Sequence, residues 1–160
     1  MRINLGSQAS ATVTDQWLAY LQAGKAFSRG GVSQGAAGQF PHAQLFNPAA
    51  SGKTAVVHGL LVDVSAIFAV HFNVDNVARA VDIGAGVNML SGAAAGVCHF
   101  RTESNAVEQG AVFNSFSPQA QTIIQPYFGW FFILGAGQGL TLVGITVASS
   151  IEVNFQWAEY

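Results

Sequence analysis

The sequence predicts an all-β domain, a jelly-roll-like antiparallel β-sandwich with one short N-terminal helix and an N-terminal arm. Three observations lead there. Ile151, Val153, Phe155 and Trp157 alternate with Glu152, Asn154, Gln156 and Ala158, the period-two signature of a strand with one face in a core. Short runs rich in valine, isoleucine and aromatics recur between turn-forming residues from Thr54 onward, as in sandwiches. Helical periodicity is confined to one segment near the N-terminus.

That helix comes first. Thr14 or Thr12 is placed to cap it, Trp17, Tyr20 and Leu21 fall on one face, and Gly24 ends it. Ser28 to Gln39 reads as a small-residue loop, SRGGVSQGAAGQ, an arm that orders against a neighbour. Residues 1–40 are therefore expected to be helix and arm, and 41–160 the sandwich. Thr54 to Val64 has no clearly wet face and is expected to be a central strand covered on both sides. Further strands are expected at Ala66 to Phe72, Val77 to Val81, Gly96 to Arg101 and near Ile123. Gly84-Ala85-Gly86 and Ser91 to Gly96 read as loops or close-packed strand edges. Leu140 to Val147 is expected to form a hairpin with the last strand across Ala148-Ser149-Ser150, so that Ile151, Val153, Phe155 and Trp157 enter the core.

Composition narrows the function. Charged residues make up 9 % of the 160, against roughly 25 % in ordinary soluble domains, and apolar types make up 51 %. With a net charge of −2, little opposes association, so much of the surface is expected to face other subunits. The six basic residues are scattered and none follows Arg101. No stripe exists to neutralise phosphates, and nucleic acid is not an expected partner. Tyr127 to Ser149 is uncharged over the length of a membrane span, but its five glycines and its β-branched and aromatic residues favour two strands joined at Gly135–Gly139, so no membrane partner is expected. The first ten residues lack the apolar core of a signal peptide. Cys98 is the single cysteine and reads as a small buried thiol.

No motif points to catalysis or to a cofactor. Gly52-Lys53-Thr54 ends like a phosphate-binding loop, but Asn47 stands where the upstream glycine is required and a strand-like run follows. His71, Asn73 and Asp75 share one face of an extended segment, which makes His71 and Asp75 a candidate ligand pair. They fall short of a cation site, and a solvated strand end is the more ordinary reading; no metal is expected. His58, amid Val56, Val57, Leu60 and Leu61, reads as a core or interface histidine. Glu103 and Glu108 have the chemistry of an acid pair, yet five residues of irregular sequence fix no separation, and an exposed acidic loop is favoured. Tyr127, Phe128, Trp130, Phe131 and Phe132 are the densest aromatic run, and at least half of it must serve the core or an interface. Candidate interface residues are Trp17, Tyr20, Phe27, Phe40, Tyr127 and Trp130; Phe27 and Phe40 fit the domain's own core equally well.

Two blocks carry a resemblance. Gln44 to Lys53, QLFNPAASGK, leads into a valine-rich strand, and Leu134 to Leu140, LGAGQGL, is followed by a closing VNFQW. Together they cover about a third of the chain, which resembles small bacteriophage virion structural proteins of the capsid-decoration, head-fibre or tail-associated type. Ala136 stands where proline is commoner in such proteins. The resemblance implies a non-enzymatic sandwich on the virion surface, made in the host cytoplasm, that assembles with itself, often as a homotrimer, and packs on major capsid or tail proteins. It transfers no catalytic residues. The alternative is a receptor- or carbohydrate-binding module of a phage adhesion device, with aromatics and His71/Asp75 lining a groove.

Overall fold

The computed structural model describes residues 18–117 and 132–160. They form two antiparallel sheets packed face to face, an all-β sandwich with one short helix at 18–22. The strands are β1 (Ala26–Gln34), β2 (Phe40–Asn47), β3 (Ala55–Val64), β4 (Val70–Asp75), β5 (Val81–Ala85), β6 (Val87–Asn88), β7 (His99–Asn105), β8 (Ala111–Phe116), β9 (Phe132–Leu134), β10 (Gln138–Gly144) and β11 (Ser150–Glu159). The first sheet runs β6-β1-β11-β3-β9 and the second β5-β7-β2-β10-β4-β8. Four pairings nest inside one another: β1 with β11, β2 with β10, β3 with β9 and β4 with β8.

Alternation builds the core. Ile151, Val153, Phe155 and Trp157 are fully buried between the sheets with Leu45, Phe72, Phe100, Leu140 and Leu142. Glu159 completes this strand as a buried carboxylate: it accepts from the Val97 amide at 2.9 Å, the Cys98 amide at 3.0 Å and the Trp157 indole N–H at 3.0 Å. It fixes the entry to β7 against the end of β11. Cys98 is buried, and desolvation pushes its thiol pKa well up.

The segment expected to be an arm is instead a strand. β1 pairs with β11 from Ala26↔Ala158 to Gln34↔Ser150. Its small residues are what the packing requires. A Cβ on Gly30 would stand 2.3 Å from the Val153 carbonyl oxygen, and one on Gly31 would stand 3.1 Å from the Phe100 ring. A run without large side chains therefore reads as loop and folds as strand, because its neighbours supply the bulk. Residues 26–34 thus lie within the sandwich, on the other side of the boundary drawn at residue 40.

The expected C-terminal hairpin is also corrected. β10 takes its backbone partners from β2 and β4, whereas β11 takes its own from β1 and β3. Residues 145–149 carry the chain from one sheet to the other, with Ala148 at φ 56°. Likewise β9 and β10 are two strands joined by a turn at 135–137, but they belong to different sheets.

Other boundaries move. β3 buries Ala55, Val57, Leu60, Val62 and Val64, while Val56, His58, Leu61 and Asp63 on its other face are only half-covered. The strand expected at Ala66 begins at Val70, the one expected at Gly96 begins at His99, and Val77 to Ala80 is not a strand. The expectation near Ile123 lies outside the described residues. The helix ends as expected at Gly24, φ 63°, whose amide bonds the Leu21 carbonyl. β3 begins at Ala55, directly after Gly52-Lys53-Thr54, where a phosphate-binding loop would start a helix. Among the described residues no helix is long and apolar enough to cross a membrane.

Candidate functional site

The polar residues of the second sheet gather on its outer face. β2 presents His42 and Gln44 outward while Ala43 and Leu45 enter the core. β10 does the same with Thr141 and β4 with His71, Asn73 and Asp75. The register sets them in rows: Val143 lies between His42 and His71, and Thr141 between Gln44 and Asn73. β7 adds Arg101 beside Gln44 and Glu103 beside His42. Glycine makes room at one point, since a Cβ on Gly139 would stand 2.6 Å from the Gln44 amide nitrogen.

Residues 76–80 cross this face as a strap. Arg79 turns inward from it and is 1 % exposed. Its guanidinium bonds Asp75 and lies 3.6 Å from Glu103. Gln44 grips the strap backbone from below: its amide N–H donates to the Val77 carbonyl at 3.0 Å, and its carbonyl accepts from the Arg79 amide at 2.9 Å. The Arg101 Nε–H donates to the Arg79 carbonyl at 2.6 Å. Asp75 further accepts from Gln44 at 2.8 Å and from the Thr141 hydroxyl at 3.0 Å.

Two histidine–carboxylate pairs flank the strap. His71 Nδ1 is 2.7 Å from Glu108, which also accepts from Asn73 at 3.1 Å. His99 Nδ1 is 2.8 Å from Asp82, which Arg101 also bonds at 3.0 Å. His42 differs. It is fully buried, and its Nδ1–H donates to the Phe40 carbonyl at 3.0 Å. Nε2 is thereby left as an acceptor, buried and without a hydrogen-bond partner among the described residues. Burial lowers the His42 pKa below its ordinary value, and Arg79 lowers it further against the raising influence of the Phe40 carbonyl, Glu103 and Glu108. In all, three of the four histidines, four of the eight acids and two of the six basic residues lie on this one face.

The structure thus brings His71 and Asp75 onto one face, as their spacing implies, but turns both to internal partners. Asp75 is closed beneath Arg79 with its side chain 7 % exposed. Glu103 and Glu108 are not an open acidic loop: Glu103 lies on β7 beside Arg79, and Glu108 closes on His71 and Asn73. No group of three or more histidine, cysteine, aspartate or glutamate side chains among the described residues could hold a metal ion.

The candidate interface residues scatter. Phe27 is buried and stacks on Trp157 with ring centroids 6.0 Å apart, so it serves the core. Phe40 is half-buried at the start of β2. Tyr20 packs edge-on against Tyr160 at 5.4 Å and, tilted, against His58 at 5.8 Å. Trp17, Tyr127 and Trp130 lie outside the described residues. Sequence reasoning missed His42, Gln44, Thr141 and above all Arg79. The alternation of His42 and Gln44 with Ala43 and Leu45 is a signal for the first two; an arginine in an apparently strand-like Val77 to Val81 offers none.

No protein-family model matches this chain, and no curated protein or solved structure matches it.

Proposed function

We propose that the protein is a non-catalytic structural subunit of a bacteriophage virion surface, which self-associates as a homotrimer and packs on capsid or tail subunits. The observation that carries this reading is apolar exposure in a chain of very low charge. Val74, Val107, Val112, Phe113, Ile133 and Ile67 are all exposed, and the edge strand β8, AVFNSF, contains no charged residue. Edge strands of monomers are ordinarily protected by charge or proline, and exposed apolar surface marks contact with other subunits. The nested strand pairing supports a jelly-roll reading of the sandwich, and the Gln44–Lys53 and Leu134–Leu140 blocks support the virion assignment. A groove lined by His71 and Asp75 for a receptor or glycan has less behind it, because Asp75 is already fully engaged.

Light scattering coupled to size exclusion tests the proposal on the full chain and on a chain lacking residues 1–17, a truncation that leaves β1 intact. A trimer or larger particle is expected for the full chain, and loss of that state in the truncation would place the contact in the N-terminal residues. A monomer for the full chain would overturn it.

A further inference from the structure

The strap at 76–80 buries no apolar side chain. Val77 is 59 % exposed, and Ala78 and Ala80 are exposed as well. What fixes it is polar: Gln44 on both sides of the Val77–Arg79 backbone, Arg101 on the Arg79 carbonyl, Asp75 on the Val77 amide at 3.3 Å, and the Arg79 guanidinium between Asp75 and Glu103. These contacts converge beside His42, whose Nδ1–H is committed to Phe40 and whose Nε2 is free to take a proton.

We propose that this strap is an acid-released latch with His42 as its trigger. Protonation at Nε2 sets a second cation near the Arg79 guanidinium in a site closed to water. Among the described residues, the charged and titratable groups around His42 are Arg79 on the strap, Glu103 and Arg101 on β7, His71 and Asp75 on β4, and Glu108 in the turn before β8. β10 contributes only Thr141 and Val143. Glu103 and Glu108 favour the imidazolium, but burial and Arg79 outweigh them, so the closed form prefers the neutral ring. With the strap lifted, the Arg79 guanidinium leaves Glu103, the residue paired with His42 across β2 and β7, and its repulsion of the imidazolium goes with it; the ring then takes up a proton more readily, and by linkage acid favours the lifted form. β2 is fixed between β7 and β10, so the strap is the element that moves. Its release uncovers Gln44, Thr141 and Asp75.

Hydrogen exchange of the full chain, corrected for the pH dependence of the intrinsic rates, reads the latch at the Arg79 amide. Between about pH 7.5 and about pH 5, its protection is expected to fall roughly tenfold while the β2 amides hold, and His42→Phe is expected to abolish that fall. Unchanged protection in the native chain, or an undiminished fall in His42→Phe, would overturn the proposal. If His42→Phe fails to fold, NMR titration of the native His42 ring decides. Protonation in step with strap release supports the latch; release while the ring stays neutral refutes it.

Discussion

The three central strands of the second sheet bury side chains on both faces, by opposite chemistry. Inward they bury Ala43, Leu45, Leu142 and Phe72; outward, one residue away, they bury His42, Gln44, Thr141 and Asn73, all fully enclosed. On the inner face stability comes from area removed from water, which is non-directional and tolerant of small rearrangement. On the outer face every buried polar group needs a particular partner, since an unpaired buried donor or acceptor costs about 1–3 kcal/mol. The two faces should therefore answer differently to mutation.

The most severe test belongs to the inner face. Phe155→Asp puts an unpaired charge in the dry core, and a loss of several kcal/mol is expected, enough to abolish folded yield; native-like circular dichroism from this variant would refute the register of β11. On the outer face, Arg79→Met removes one partner of a buried ion pair and is expected to cost about 3 kcal/mol, read from the urea midpoint. A loss below about 1 kcal/mol would show that the outer cluster is solvated like ordinary surface. Glu159→Gln turns an amide N–H₂ toward a site built of three donors and should cost about 2 kcal/mol in the same assay.

Acid sharpens the contrast. Desolvation lowers the pKa of both His42 and His58. The unfolded chain therefore takes up their protons first, and stability falls as pH drops below the ordinary histidine value of 6.5 toward the lowered native values. Thermal melts across that window should show the decline, with a smaller one in His42→Phe. The smallest effect is expected from Val77→Ser, within about 0.5 kcal/mol of native in urea, because the strap does not rest on its apolar side chain.

The inner face was far more legible than the outer. Alternation at Ile151–Trp157 reports burial directly, because one repeating physical cause acts on every second residue. β1 was hidden because Gly30 and Gly31 answer to Val153 and Phe100, which lie far away in the chain. The supposed hairpin failed for a related reason: nearness in sequence says nothing of which sheet a strand joins once both edges of β10 are taken. In the site, the shared face of His71, Asn73 and Asp75 follows from strand geometry alone. The inward turn of Arg79 depends on Gln44, Asp75 and Glu103 meeting from three different strands, a coincidence that no local pattern records.

The nested pairing also sets a clock. Ser28 and Asn154, hydrogen-bonded neighbours in the first sheet, are 126 positions apart in the chain, and β11 fills the space between β1 and β3. While the chain is being synthesised, β1 has only the two-residue β6 as a strand partner among the described residues until β11 has been made, and the first sheet closes only when β11 slides between β1 and β3. Such long-range closure is slow, and the interval leaves unpaired edges open to other chains. The low charge of the chain leaves little to oppose association of the unfinished molecule, so folding yield should depend strongly on chain concentration.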